Sequence, residues 1–237
     1  MTRRRWIADE VLGNRAFLTG DHARHLAQVL RAKSGQEFDI ATDGEVRRGK
    51  IVGIAADRVE FELGEALRET ARAEITVAIS IFKFDRMEWA IEKSTELGVA
   101  RIVPVIAART EKHLAQAAAK RAERWRKIAK QAAEQSRQVY SPEVLDPVKL
   151  SELLRDQAGV RIVLSEVEAI LDLRSALQPD TSSLTLAFGP EGGWREDELA
   201  AFAQAGWVSA SLGPTILRAE TAVIAAVAVC GSILNGE

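Results

Sequence analysis

The chain has 237 residues, of which 47% are hydrophobic and 28% charged, with a formal net charge of −2. That balance belongs to a globular protein of one large domain, or one large and one small, and excludes a disordered chain, a collagen and a membrane channel. A single cysteine, Cys230, excludes an intramolecular disulfide framework and a multi-cysteine zinc site, and three histidines leave little for a histidine-based one.

No apolar leader follows Met1: Arg3, Arg4 and Arg5 run into Asp9 and Glu10, which points to a cytoplasmic protein with a reduced thiol. An amphipathic helix is expected from Asp21 to Leu30, with Asp21 as its cap and Leu26, Val29 and Leu30 as its apolar stripe. Strands follow over residues 37–41, 50–54 and 58–63, with Asp43-Gly44 and Ala56-Asp57 as turns between them. Several short strands with one helix suggest a small barrel. Gly64 to Glu74 is charged and poor in large apolar side chains, and reads as a linker. Domains are therefore expected over residues 1–70 and 74–237.

Beyond the linker, strands alternate with helices. Strands are expected at 75–81, 101–105, 160–164, 184–188 and 207–212. Helices are expected at 85–97, 114–137, 150–155, 171–177, 196–205 and 221–234. Such alternation implies a largely parallel α/β sheet covered by helices on both faces. The last helix is apolar on every side, which suits burial under the sheet, in a subunit interface, or both.

The net charge hides a partition: residues 73–140 carry 13 basic against 8 acidic side chains, and residues 141–237 carry 6 against 14. The basic middle is either a solvated helix face or a local footprint for phosphate. Lys120, Arg121, Arg124, Lys127 and Lys130 recur there at helical spacing.

Two glycine-bearing loops follow apolar strands. In Gly189-Pro190-Glu191-Gly192-Gly193-Trp194, three glycines permit a close backbone approach, and a Cβ at Gly192 is expected to fill space a ligand needs. A loop between a strand end and a helix start is where open α/β sheets bind ligands. The spacing fits neither the dinucleotide nor the triphosphate fingerprint. Glu191, with Glu196, Asp197 and Glu198 just beyond it, would repel phosphate and suits a neutral or cationic ligand. The competing reading is a tight structural turn. The second loop, Leu212-Gly213-Pro214-Thr215-Ile216-Leu217-Arg218-Ala219-Glu220-Thr221, places apolar side chains in a connection, with Thr221 as a reasonable cap for the last helix. Arg218 and Glu220 flank Ala219 and are candidates to pair with each other. His22, His25 and His113 have no metal-ligand spacing around them, and Cys230 reads as a small hydrophobe.

Together these two loops closely resemble those of the RsmE-type 16S ribosomal RNA methyltransferases of the SPOUT superfamily. The resemblance runs over nearly the whole chain: Arg24-His25-Leu26 to Val29-Leu30-Arg31, then Lys83 with Asp85-Arg86-Met87, then residues 93–99. Arg109 with Glu111 follows, then Arg124-Trp125 and residues 132–137. Phe84 stands where the family often has glycine, and Thr215 where it usually has a basic residue.

The resemblance implies a PUA-like RNA-binding barrel, then a parallel sheet with a C-terminal trefoil knot, in a homodimer formed through the C-terminal domain. It implies S-adenosylmethionine as cofactor and N3 of one uridine in small-subunit ribosomal RNA as methyl acceptor. A sulfonium cation with an adenosyl group needs an apolar slot and exposed backbone amides rather than a phosphate cradle. Gly189, Pro190, Gly192 and Gly193 would supply these with Leu212, Gly213, Ile216, Leu217 and Thr221, and Leu164, Ser165 and Glu166 would close the pocket. Glu220 or Glu191 is the candidate base and Arg218 the candidate cation, the alternative for Arg218 and Glu220 being a structural pair. Candidate RNA contacts are Arg4, Arg5, Arg24, Arg31, Lys33, Arg86, Arg109 and Arg137. The competing function is a non-catalytic ribosome-assembly factor on the same scaffold.

Overall fold

The computed structural model describes residues 5–42, 45–67, 73–136, 138 and 140–234. The turn expected at Asp43-Gly44 and the candidate RNA contacts Arg4 and Arg137 lie outside the described residues. The chain divides into two compact units, Met1–Ala71 with Glu134–Tyr140, and Arg72–Ala133 with Ser141–Glu237.

In the first unit, strands β1 (Arg5–Ile7), β2 (Glu10–Leu12), β3 (Arg15–Thr19), β4 (Glu37–Thr42), β5 (Glu45–Ile54) and β6 (Arg58–Leu67) form one sheet in the order β1-β4-β5-β6-β3-β2. Its two edge strands are consecutive in the chain. The Ala8 N–H donates to Ala41 on β4, and the Asp9 N–H donates to Phe17 on β3. The sheet thereby curls back on itself around Leu18, Leu26, Ile40, Val59 and Phe61, all fully buried. Strand β6 runs past Gly64 to Leu67, where it pairs with Val46, so the expected linker begins later than its composition suggests.

The helix expected over Asp21–Leu30 is a short α-helix, α1 (Gly20–Arg24), continued by a π-helical turn over His25–Val29. The Leu30 N–H reaches back to His25, one residue further than in an α-helix, and Arg31 then turns the chain at φ +50°. Asp21 is not the cap. Thr19 precedes the helix without a side-chain bond, and Asp21 lies in the first turn, paired with Arg24.

The second unit holds strands β7 (Glu74–Ser80), β8 (Arg101–Ile106), β9 (Glu143–Val144), β10 (Val148–Lys149), β11 (Val160–Leu164), β12 (Ser183–Phe188) and β13 (Val208–Ala210). All pair in parallel, in the order β10-β8-β7-β12-β11-β13, with β9 beside β8. The helices are α2 (Phe84–Glu96), α3 (Lys112–Ser136), α4 (Leu150–Leu153), α5 (Leu173–Ala176), α6 (Glu196–Gln204) and α7 (Ala219–Leu234). Alternating residues sort the central strands between two cores. Ile75, Val77 and Ile79 of β7 join Leu184, Leu186 and Phe188 of β12 under α2, α3 and α7. Ala78, Val163 and Ala187 face the other way, where their small volume makes room for Trp194, Phe202 and Trp207 around α6.

Two expectations for the last element are corrected. Helix α7 begins at Ala219, its first α-type bond running from the Ala222 N–H to the Arg218 carbonyl. Thr221 is thus an exposed residue inside the first turn, not the cap. The helix is also not buried all round: Val223, Ala226, Val227 and Cys230 face the core, whereas Ala228 is exposed and Ile224, Ala225 and Val229 are half-buried.

Candidate active site

Strands β12, β11 and β13 are neighbours, and they stop in register: Phe188 pairs with Leu164, and Leu164 with Ala210. Three connections therefore leave the sheet side by side at its carboxyl edge, the usual place for a ligand in an open α/β sheet. They enclose a cavity of about 440 Å³ within the second unit. Leu164, Ser165 and Glu166 contribute from the first connection, Gly189, Pro190, Glu191 and Gly193 from the second, and Leu212, Gly213, Ile216, Leu217, Arg218 and Glu220 from the third. Gly192 and Thr221 are not among the lining residues, although both were candidates for cofactor contact.

Two of the three connections are held by identifiable bonds. The Trp194 indole Nε1–H donates to the Leu164 carbonyl at 3.1 Å, fixing the glycine-rich loop to the end of β11. Its ring meets Phe202 edge-on, with centroids 4.9 Å apart. The loop turns through a bond from the Gly193 N–H to the Pro190 carbonyl, with Gly193 at φ +70°. A Cβ on Gly193 would stand 2.8 Å from Glu166 Oε1, whereas a Cβ on Gly192 would meet only the Arg109 side chain, at 3.4 Å. The close approach therefore belongs to Gly193. Beyond Glu166, the Glu168 carboxylate accepts from the Ile170 and Leu171 N–H groups, and those bonds hold its pKa below the ordinary carboxylate value.

The charges around the cavity meet at Arg86 and not between Arg218 and Glu220. Arg86, at the start of α2, donates from Nη1 to Glu191 Oε1 at 2.7 Å, and its Nε lies 3.8 Å from Glu220 Oε1. One guanidinium thus links the glycine-rich loop to the first turn of α7. Arg218 is exposed, and no bond to Glu220 is seen among the described residues. Glu220 is 6% exposed, and its Oε2 has no hydrogen-bond partner among the described residues. A buried carboxylate oxygen without a donor is costly unless something supplies one. Arg86 was expected to touch RNA; a contact 105 residues away in sequence leaves no local signal of its role here.

Arg109, a second expected RNA contact, donates from Nη1 to the Gly192 and Trp194 carbonyls, the latter at 3.2 Å. In the first unit, Arg24 is paired with Asp21, while Arg31 and Lys33 are exposed and Arg5 lies half-buried on β1. Glu198 escaped the sequence reading as anything but part of an acidic helix start. It is buried, accepting from the Ala108 N–H at 2.7 Å and the Arg195 N–H at 2.9 Å.

The chemistry of the cavity wall suits S-adenosylmethionine. Leu164, Phe188, Leu212, Ile216 and Leu217 give apolar wall, no lysine lines it, and three carboxylates face two guanidinium groups. With the unpartnered Glu220 oxygen, this set fits a cationic ligand carrying a flat aromatic ring whose faces lie against the apolar wall, and fits a polyphosphate poorly.

Comparison with known proteins agrees with that geometry. The family model described as an RNA methyltransferase domain matches residues 68–231, and one described as an RNA methyltransferase PUA domain matches residues 18–64. The chain belongs to the RNA methyltransferase family. Among the similar members is Ribosomal RNA small subunit methyltransferase E of Bacillus subtilis, 34% identical over 236 residues and covering 93% of this chain and 92% of its own. The protein of that name from Mycobacterium tuberculosis is also 34% identical, covering 93% and 87%. Among solved structures, a Ribosomal RNA small subunit methyltransferase E from Neisseria gonorrhoeae bound to S-adenosyl methionine matches with a TM-score of 0.79, 29% identity and 98% of each chain. A methyltransferase from Legionella pneumophila in complex with the same cofactor matches with a TM-score of 0.76 and 27% identity, again over 98% of each chain.

Proposed function

We propose that this RNA methyltransferase transfers a methyl group from S-adenosylmethionine to N3 of one uridine in 16S ribosomal RNA, acting in the cytoplasm as a homodimer. Residues 74–237 would form the methyltransferase domain, which we read as knotted at its C-terminal end, and residues 1–70 an RNA-docking barrel. The observation that carries this reading is the cavity at the joint end of β12, β11 and β13, with its apolar wall and its buried, unpartnered carboxylate oxygen.

The cofactor supplies a methyl group on a sulfonium centre. Leu164, Phe188, Leu212, Ile216 and Leu217 would hold its adenosyl part, and the backbone around Gly189 and Gly193 would come closest to it. Glu166, Glu191 and Glu220 favour positive charge in the cavity. Excluding water and fixing the two reactants in line lowers the entropic part of the barrier. Uridine N3 carries a proton and attacks poorly until it is lost. Of the two candidate bases, Glu220 suits that step better, since its Oε2 is uncommitted while Glu191 is tied to Arg86. Arg218, exposed at the cavity wall, would stabilise the negative charge left on the uracil oxygens.

The test is modification mapping of 16S ribosomal RNA in small subunits from a deletion strain, before and after incubation with protein and cofactor. One N3-methyluridine should be absent, then restored. Glu220→Gln should restore it about 10²–10⁴-fold more slowly, the usual contribution of a general base. Calorimetry should show cofactor binding; a non-catalytic assembly factor would show none.

A further inference from the structure

Helix α3 carries seven of the 13 basic side chains between residues 73 and 140, and the structure sorts them by type. The three arginines bond to carboxylates. Arg124 grips both oxygens of Glu88, at 2.7 and 2.9 Å, and Arg121 reaches the same carboxylate at 3.5 Å while lying over the Phe84 ring. Arg126 donates to Glu123, Asp146 and the Val144 carbonyl. The four lysines, Lys112, Lys120, Lys127 and Lys130, are exposed and make no ion pair among the described residues.

Their spacing puts them on one side. At 3.6 residues per turn they fall within about 80° of arc, and at 1.5 Å per residue the stripe is about 27 Å long. Leu114, Ala118, Ala122, Trp125 and Ala129 occupy the opposite, buried side. Two acids fall within the lysine arc: Glu123, whose carboxylate is already engaged by Arg126 at 2.6 Å, and Glu134, half-buried one turn beyond Lys130. The remaining exposed positions in or beside the arc include His113, Gln116, Ala119 and Gln131.

This composition selects a partner. Protein interfaces are built on aromatic, methionine and arginine anchors and are depleted in lysine; this face has no aromatic and no large apolar side chain. Flexible ammonium groups recognise phosphates as point charges, without demanding a fixed geometry. A polyanion also needs such a face here, because residues 141–237 carry 14 acidic against 6 basic side chains. We propose that the lysine face of α3 is a backbone-binding rail that holds the substrate RNA by its phosphates, independently of sequence. None of the four lysines lines the cavity. The inference rests on the reading of RNA as the substrate.

The experiment is binding of the full-length protein to an unmodified 16S ribosomal RNA transcript at several salt concentrations. Replacing Lys112, Lys120, Lys127 and Lys130 together by Gln keeps good helix formers in place. At about 0.7–0.9 logarithmic units per phosphate contact, the salt slope should become shallower by about 3. Affinity at 0.15 M salt should fall at least tenfold, with cofactor affinity unchanged. Glu123→Lys, which adds a cation to the arc, should steepen the slope by about 1. A quadruple variant that binds the transcript with the wild-type slope overturns the proposal. So does one that binds the transcript normally but loses affinity for assembled small subunits, since the face would then dock on ribosomal protein. A wild-type protein with no salt-dependent affinity for either the transcript or assembled small subunits overturns the reading of the substrate itself, and this inference with it.

Discussion

Gly193, at φ +70° and with Glu166 Oε1 2.8 Å from where its Cβ would stand, is the residue in the glycine-rich loop that least tolerates a side chain. Gly193→Ala should weaken S-adenosylmethionine binding at least tenfold by calorimetry, while Gly192→Ala should leave it within a factor of about two. Equal effects at the two positions would mean that backbone conformation does not set the pocket. The sequence shows three glycines after a strand, which is enough to locate the loop. It does not show which of them faces a neighbour, because Glu166 and Arg109 arrive from other elements. Arg86 makes the same point: its type and its place near a helix start were legible, but its two carboxylate partners were not. Cys230 was read as a small hydrophobe, and burial pushes its thiol up to about 12. It should resist alkylation in the native protein at pH 8 and react fully after unfolding. Since an unfolded thiol ionises near 9, the folded state is favoured fully below that pH. Its contribution is lost as pH rises from about 9 towards 12, because only the unfolded chain has then given up the proton.

Helix α6 shows what can be read at the scale of an element. Glu196, Asp197 and Glu198 announce a helix start, and the helix begins at Glu196. Its N-cap is Arg195, which has no side-chain acceptor to offer, so Glu198 satisfies the Arg195 N–H from within the helix and the Ala108 N–H from the connection after β8. Glu198→Ala should lower stability by about 2 kcal/mol, since hydrogen bonds to a buried charged group contribute about 1.5–3 kcal/mol. In a chain of this size that is a fall in Tm on the order of 6 °C by calorimetry. Glu198→Gln should recover about half of it, keeping one acceptor oxygen. The misread elements have equally local causes. The π-helical turn over His25–Val29 has the same apolar spacing as an α-helix over a few residues, so composition does not distinguish them. Thr221 is a good cap by type, but the helix starts two residues earlier, at Ala219, and leaves it inside the first turn.

At the scale of the whole molecule, the α/β class followed from strands and helices alternating along the second half of the chain, and the curled β-rich sheet from short strands and turns in the first. The order of strands did not follow, because parallel pairing joins segments far apart and leaves no spacing to read. The incompletely covered side of α7, with Ile224, Ala225 and Val229 half-buried, motivates the homodimer in the proposed function. Sedimentation at micromolar concentration should give a dimer, and Ile224→Glu should shift it towards monomer. Wild-type monomer at that concentration would remove the dimer from the proposal. The sheet order has one more consequence, for synthesis. Strand β12 pairs with β7 although about a hundred residues separate them, and the cavity takes its last lining residue, Ala222, from α7. Translation proceeds at about 5–20 residues per second, so the early strands leave the ribosome seconds before the segments that must pair with them. Until then β7 presents an unpaired apolar edge, open to chaperones and to other nascent chains. A chain released before Glu220 can fold its N-terminal sheet but lacks the carboxylate and the helix that complete the pocket, so premature termination should leave no partly active fragment.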